Sequence, residues 1–367
     1  MSNKYIAIMG IALVFISFSL TWLVRQYTLR KQILDIPNER SSHDVVTPRG
    51  GGLGFVIIFL FCLCILWSMG LIELNNYLAL VGGGVLIAVV GWTDDKNGLT
   101  QQVRSFFHFL AAAWAVYCLG GFSVINVGFT NLHLSWVGSI VAVIGTVWMI
   151  NLYNFMDGVD GIAGTEAVSV AVMVGLLLLW QQSFSHAIVC FLLAASVMGF
   201  LIWNWPPAKI FMGDVGSGFL GYIFAVMAMW SEQSEAIPLI IWMLLLGVFV
   251  IDATVTLVKR MRKGEKLYEA HRSHVYQLAV QAGYSHKQVT DTVLLINVLL
   301  GIIAIGAVSY SNYSLGISLG TAIVLIIIHC ILGKVFNKKI NVKASTIAYE
   351  DLVIKQSYNE AAALRDE

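Results

Sequence analysis

The chain has 367 residues, 58% of them apolar and 12% charged, where a soluble domain has about 45–50% and roughly 25%. With a mean hydropathy of +0.79 this excludes a soluble globular protein, and a net charge of +1 gives no electrostatic basis for nucleic acid as a partner. The five cysteines, Cys62, Cys64, Cys118, Cys190 and Cys330, all fall in apolar runs, where they act as small buried hydrophobes and not as a disulfide framework or zinc site.

Apolar runs close to the roughly 20 residues that cross a bilayer core recur along almost the whole length. They predict an all-α polytopic membrane protein with eleven spans, at about residues 5–24, 53–69, 77–93, 104–120, 136–153, 165–181, 187–203, 216–231, 237–258, 292–310 and 314–333. The first run has Lys4 before it, Arg25, Arg30 and Lys31 after it, and no small-residue cleavage site, so it reads as a retained helix and not as a signal peptide. A single catalytic membrane domain at 1–333 is expected, with a tail at 334–367. With this count, loops 25–52, 94–103, 154–164, 204–215 and 259–291 share one face with the tail. Of the 22 basic residues only Lys4 falls on the other face. The positive-inside rule makes the basic face cytoplasmic and the N-terminus periplasmic. The opposite loops hold Glu73, Glu232 and Glu235 and read as connectors.

The polar clusters that packing does not explain all lie in the cytoplasmic loops. They are Asp94-Asp95 after span 3, Asn151-Leu152-Tyr153-Asn154-Phe155-Met156-Asp157-Gly158-Val159-Asp160-Gly161 after span 5, Phe211-Met212-Gly213-Asp214-Val215-Gly216 after span 7, and the basic run at 259–266 with His271-Arg272-Ser273-His274 after span 9. Pro48-Arg49-Gly50-Gly51-Gly52 leads into span 2. Each has a plain alternative. Asp94-Asp95 or Asp214 would serve as helix caps, the basic run as a membrane-surface anchor, His271 and His274 as an idle surface pair, and Arg49 as part of a kinked entry. The four polar residues at spacing three from Asn151 to Asp160 share a helical face only if the span continues that far, and the glycines favour a loop from Gly158. Taken together they point further. Five carboxylates at one face repel each other unless cations or protons intervene, and hard oxygen donors without thiolates favour Mg²⁺ or Mn²⁺ over zinc. The glycines allow close backbone approach and leave amides free for phosphate. This combination suits a pyrophosphate substrate and phosphoryl transfer at the bilayer surface. His108 and His329 lie inside spans and are expected to be packed and hydrogen-bonded. Asp252, inside span 9, is costly there and functional by default, with Arg260 or Thr256 as the expected partner.

From about Arg40 to Gln277 these motifs resemble, in order and loop parity, the polyprenyl-phosphate N-acetylhexosamine-1-phosphate transferase family. Its members include the phospho-N-acetylmuramoyl-pentapeptide transferase of peptidoglycan synthesis. His271-Arg272-Ser273-His274-Val275-Tyr276-Gln277 is similar to the branch that initiates O-antigen or outer-core units, and the three consecutive histidines of the peptidoglycan enzyme are missing. Where the family's first acidic motif carries a third acid, this chain has Gly98. The resemblance implies transfer of an N-acetylhexosamine 1-phosphate from a UDP-sugar to undecaprenyl phosphate, with UMP released. It implies Mg²⁺, or Mn²⁺, as cofactor, the bacterial inner membrane as location, and leaves a homodimer open. By the same resemblance Asp94, Asp95 and Asp157 are catalytic, Asp214 and Asn154 hold the metal, and Asp160, Arg49, His271, Arg272 and His274 bind substrate. The rival expectation is a transporter or flippase, but the acids sit at span ends and no internal repeat is visible. A CDP-alcohol phosphotransferase is disfavoured because its Asp-Gly-x-x-Ala-Arg motif is absent.

Overall fold

The computed structural model describes residues 3–37, 42–265 and 271–363; Arg40, Lys266 and Arg365 lie outside them. Helix accounts for most of the structure, as it must where no water is present to satisfy backbone N–H and C=O groups. In chain order the helices are α1 (Asn3–Arg30), α2 (Gly52–Ser68), α3 (Leu74–Leu78), a π-helical turn (Ala79–Gly83), α4 (Gly84–Asn97), α5 (Gln101–Leu119), α6 (Trp136–Met156), α7 (Ile162–Trp180), α8 (Phe184–Asn204), α9 (Asp214–Gln233), α10 (Leu239–Leu245), α11 (Gly247–Arg262), α12 (Val275–Gln281), α13 (His286–Ser309) and α14 (Ser314–Ala363). Each of the eleven apolar segments read from the sequence lies on helix. Among the described residues seven helices are long and apolar enough to cross a membrane, and an eighth span results if the bent pair α10–α11 counts as one. The protein is a multi-pass helical membrane protein.

Three features depart from the expected helix boundaries. The ninth segment is not one helix: α10 and α11 meet at an angle of 82°. Leu246 is the joint, its amide donating to Trp242 O at 3.0 Å while its carbonyl accepts from Val250 N at 2.9 Å. Hydropathy averages over such a bend, and Gly247 beside it is the only local mark. α6 ends at Met156, so the polar series from Asn151 to Asp160 does not continue as one helical face. The segment after 333 continues α14 without a break.

α9 is the central helix, with every residue from Val215 to Glu232 buried, whereas α14 exposes Ile323, Val324, Ile327 and Ile331, as a lipid-facing helix does. Small residues let α9 approach its neighbours closely. A Cβ on Gly91 of α4 would stand 2.5 Å from the Asp214 backbone, and one on Gly52 would collide with Gly216. The π turn before α4 is held by the same helix, since Tyr222 Oη donates to Ala79 O at 2.7 Å. Two short antiparallel pairs complete the fold, β1 (Leu34–Asp35) with β2 (Thr47–Pro48) and β3 (Val124–Asn126) with β4 (Asn131–His133). Beyond β2 the chain is pinned to the loop before α9: Phe211 N donates to Pro48 O (2.8 Å), Gly51 N to Phe211 O (2.9 Å) and Gly52 N to Met212 O (2.9 Å). This clasp carries Arg49 to the ends of α4 and α9.

A buried polar pair joins α7, which follows the 157–161 loop, to α13, which contacts that loop from across the bundle. Asn297 Nδ2 donates to Glu166 Oε2 at 2.6 Å and to Ser169 Oγ at 2.8 Å, and Thr290 Oγ1 of α13 donates to Asp160 O at 2.8 Å. Asn297→Ala leaves the buried Glu166 without this donor. It should lower stability by about 1–2 kcal/mol, read as a fall in the midpoint of thermal unfolding in detergent; an unchanged midpoint would show that the clamp does not support the fold.

Candidate active site

The acidic motifs converge at one end of the bundle, and most of their side chains are already engaged. Asp95, 3% exposed, accepts from Asp214 N (3.0 Å) and Val215 N (3.1 Å) and so caps the N-terminus of α9. A carboxylate there satisfies free amides and meets the positive end of the helix dipole. Arg49 serves the opposite pole of α4, donating from Nε and Nη2 to Asp95 O at 2.9 and 2.7 Å and from Nη2 to Asp94 O at 3.4 Å. A cation over the last carbonyls of a helix is favourable for the same reason. Asp94 accepts from Leu99 N (2.5 Å) and from Arg104 Nη1 (2.9 Å). The same Arg104 nitrogen stands 3.4 Å from Asp214 Oδ2. Asn154 braces the other Asp214 oxygen, with Nδ2 donating to Oδ1 at 2.6 Å and to Ser217 Oγ at 3.0 Å.

Asp157 lies beyond the end of α6 and faces the same space. Burial, then the nearby carboxylates of Asp214, Asp95 and Asp160, push its carboxyl well above the usual range. Asp160 is held at 3.2 Å from His286 Nδ1 and accepts from Ala208 N at 3.0 Å. His286 in turn contacts Ser42 O at 2.8 Å through Nε2, which draws the first loop over the site.

Two cavities open from this cluster and share Asn154 and Asp214. The first, of about 430 Å³, is polar; Arg49, Asp95, Asp157, Asp160, Gln277 and His286 are among its lining. The second, of about 440 Å³, runs between α4, α5 and α6 with Leu257 of α11; Ile87, Val90, Ile144 and Trp148 make it mainly apolar, with Arg104 and His108 at its polar side.

Of the ten candidate residues the structure thus brings seven together: Arg49, Asp94, Asp95, Asn154, Asp157, Asp160 and Asp214. His271, Arg272 and His274 of the last motif line neither cavity. His271 is bonded to Ser273 Oγ at 2.8 Å, and burial, with His274 and Arg260 nearby, pushes its ring down to about 4, so it is neutral at physiological pH. The Arg272 carbonyl accepts from Gln281 Nε2 at 2.9 Å. His274 is 2% exposed, with Nδ1 3.4 Å from Asp252. Asp252 itself takes Thr256 as a partner at 3.2 Å but not Arg260, whose Nε donates to Glu265 at 2.7 Å. Arg104, Gln277 and His286 line the two cavities and are the candidate residues that sequence reasoning missed. Arg104 carried a signal, being a lone cation at the mouth of an apolar run ten residues beyond Asp94. Gln277 closes the motif His271–Gln277 but was given no role, and His286 carried no signal.

Among the described residues no three His, Cys, Asp or Glu side chains converge as a ready-made metal cage. Mg²⁺ does not require one, since it is commonly held by one or two carboxylates together with substrate phosphates and water. The oxygen donors of Asp214 and Asp157 fit that mode. Asn154 bonds Asp214 through its nitrogen, which leaves its oxygen as the atom able to ligate.

Comparison with known proteins supports this reading. The model of glycosyl transferase family 4 matches residues 77–232, which contain α4 to α9 and the acidic cluster. A decaprenyl-phosphate N-acetylglucosaminephosphotransferase of Mycolicibacterium smegmatis is 30% identical over 358 residues, covering 89% of this chain and 87% of its own. A probable undecaprenyl-phosphate N-acetylglucosaminyl 1-phosphate transferase of Bacillus subtilis is 27% identical over 320 residues, with 86% and 88% covered. An undecaprenyl-phosphate alpha-N-acetylglucosaminyl 1-phosphate transferase of Yersinia pestis is 26% identical over 302 residues, with 79% and 80% covered. On likeness of this extent, the chain belongs to the polyprenyl-phosphate N-acetylhexosamine-1-phosphate transferase family of membrane glycosyltransferases.

Proposed function

We propose that the protein transfers an N-acetylhexosamine 1-phosphate from a UDP-sugar to undecaprenyl phosphate, giving undecaprenyl-diphosphate-sugar and UMP, as the initiating step of O-antigen or a related cell-envelope polysaccharide. The observation that carries the reading is the junction of a polar cavity and an apolar one at Asp214 and Asn154. A nucleotide sugar suits the first and a lipid phosphate the second, so the two substrates meet beside the acidic cluster. The names of the relatives support UDP-N-acetylglucosamine as the first donor to test.

In this reading an oxygen of the lipid phosphate attacks the β-phosphorus of the UDP-sugar, and the bond between that phosphorus and the bridging oxygen of UMP breaks. Arg104 draws the lipid phosphate toward Asp94 and Asp214. The second ionisation of a phosphate monoester lies near 6, so the nucleophile is mostly ionised already and Asp94 serves to orient it. Asp95 and Arg49 hold α4 and α9 in register, and Asp160 with His286 shapes the nucleotide end. Asp214, with Asp157 and the oxygen of Asn154, is the place for Mg²⁺, which when bound offsets charge on the diphosphate and on the departing UMP. All eleven apolar segments cross the bacterial inner membrane, with the site on the cytoplasmic face where UDP-sugars are found.

Purified protein given a UDP-sugar panel should release UMP only when polyprenyl phosphate is present, with UDP-N-acetylglucosamine among the active donors. Release without lipid, or none with any donor, would overturn the reaction.

Asp214→Asn should lower turnover by on the order of a hundredfold or more while unfolding at nearly the wild-type temperature. A second readout does not depend on activity. Asp157 has a raised folded-state value, so the stabilisation of its neutral form is complete below the usual carboxylate range and is lost as pH climbs from there through the raised value. Mg²⁺ favours the ionised carboxylates, so it should raise the unfolding midpoint more at pH 8 than at pH 5.5, and Asp214→Asn should abolish most of that gain. An equal Mg²⁺ effect in variant and wild type would remove Asp214 from the metal site.

Orientation is tested by single cysteines at Ser42, Asn97, Ser273 and Asn312 in a background without the native five. In intact cells only the one at Asn312 should react with an impermeant thiol reagent. Labelling at any of the other three would invert the topology.

A further inference from the structure

The motif from His271 to Gln277 is separated from the acidic cluster, yet Gln277 reaches the polar cavity. What holds it there is a carboxylate on another helix. Asp252 of α11 is 6% exposed and accepts from Val275 N at 3.0 Å and Tyr276 N at 3.2 Å, the first two amides of α12. Thr256 Oγ1 donates to it from one turn along α11, at 3.2 Å. His329 Nε2 of α14 reaches it at 3.2 Å and His274 Nδ1 lies at 3.4 Å. Three helices are therefore tied to one buried carboxylate.

The far side of α12 touches the catalytic loop. Tyr276 Oη donates to Phe155 O at 2.8 Å, and a Cβ on Gly158 would collide with that hydroxyl. Gln277 Oε1 accepts from His274 N at 3.4 Å, so the residue that lines the cavity is fixed to the residue beside Asp252. A seven-residue helix has no stability of its own in water. Its place depends on the groups that satisfy its first amides.

We infer that Asp252 is a positioning residue for the transfer reaction: it docks α12 so that Gln277 lines the nucleotide-sugar cavity and Tyr276 braces Phe155 and Gly158 beside Asp157. His274 acts from the same cluster, through Asp252 and Gln277, and does not touch substrate. The kinetic part of this assignment rests on the reaction proposed above, while the docking of α12 stands on contacts alone. The polyprenyl-phosphate cavity takes nothing from α12, so the two substrates respond differently.

The experiment compares wild type, Asp252→Asn and Val275→Pro. Asparagine keeps the size but presents an amide N–H₂ where an acceptor stood. Proline removes one donor to Asp252 at the first position of the helix, where its ring is tolerated, and the preceding His274 already has the extended backbone that proline requires (φ −64°, ψ 146°). Val275→Pro therefore still reports should Asp252→Asn fold poorly. Amide exchange over 273–282, read by mass spectrometry, should speed up about tenfold in Asp252→Asn, with a smaller rise at Tyr276 in Val275→Pro. The KM for UDP-sugar should rise about tenfold in Asp252→Asn, and that for polyprenyl phosphate should stay within about twofold. Asp252→Asn combined with Gln277→Ala should be no worse than the poorer single variant, because both remove the same contact. Unchanged exchange over α12, or equal effects on both KM values, would overturn the assignment. If exchange rises as expected but the wild type releases no UMP, the reaction is wrong and the docking of α12 by Asp252 stands.

Discussion

The structure depends on how negative charge is accommodated where α4 and α9 meet. Two helix ends of opposite polarity lie side by side, the C-terminus of α4 and the N-terminus of α9, and three aspartates belong to them. Asp95 is neutralised by the first amides of α9. Arg49, delivered by the backbone clasp between 48–52 and 211–212, sits on the last carbonyls of α4. Arg104 bridges Asp94 and Asp214. Among the described residues Asp157, facing the polar cavity, takes no such partner, and Asp214 is answered only by the amide of Asn154 and a 3.4 Å contact to Arg104. That residue of negative potential is where a divalent cation is favourable, and a cation there makes a place for a diphosphate.

The same arrangement explains why glycines surround the acids. Gly91 and Gly52 permit α4 and α2 to touch α9 at backbone distance, which brings the Asp95 carboxylate within reach of the Asp214 amide. Gly213 has φ +76°, a conformation that places Asp214 at the head of the helix and that other residues adopt only with strain. The glycines thus position the acids, and phosphate binding by free amides is not needed to account for them.

Composition and basic-residue asymmetry were enough to place the helices, and motif order with the family resemblance to name ten candidate residues, seven of which the fold brings together, because those signals are local. The roles were not local. Asp95, expected as a catalytic acid, also caps a helix 119 residues away in sequence, which is the plain reading of an Asp-Asp pair. Asn151 looked like part of a polar face but bonds Val147 O on its own helix at 2.7 Å. Arg104 acts across 110 residues and His286 across more than 120 to Asp160. No spacing rule carries such pairs. The bend between α10 and α11 was hidden because both halves are apolar, and the orientation of His274 because its partner lay inside a presumed straight span.

That bend bears on the rival reading as a transporter, since discontinuous helices are a hallmark of transporters. There, the broken ends meet substrate near the bilayer midplane. Here Leu246 and Gly247 at the joint line neither cavity, and the polar residues follow on α11 itself. Because α11 leaves the joint at a steep angle, Leu257 reaches the apolar cavity while Asp252, five residues earlier, reaches α12 and through it the polar one. The two residues are five apart, roughly 140° around the axis of α11, so the helix presents them to different sides. α11 thus lies between the two cavities, an arrangement suited to a transferase that moves a sugar phosphate from a soluble nucleotide sugar to a lipid and not to a conduit across the membrane.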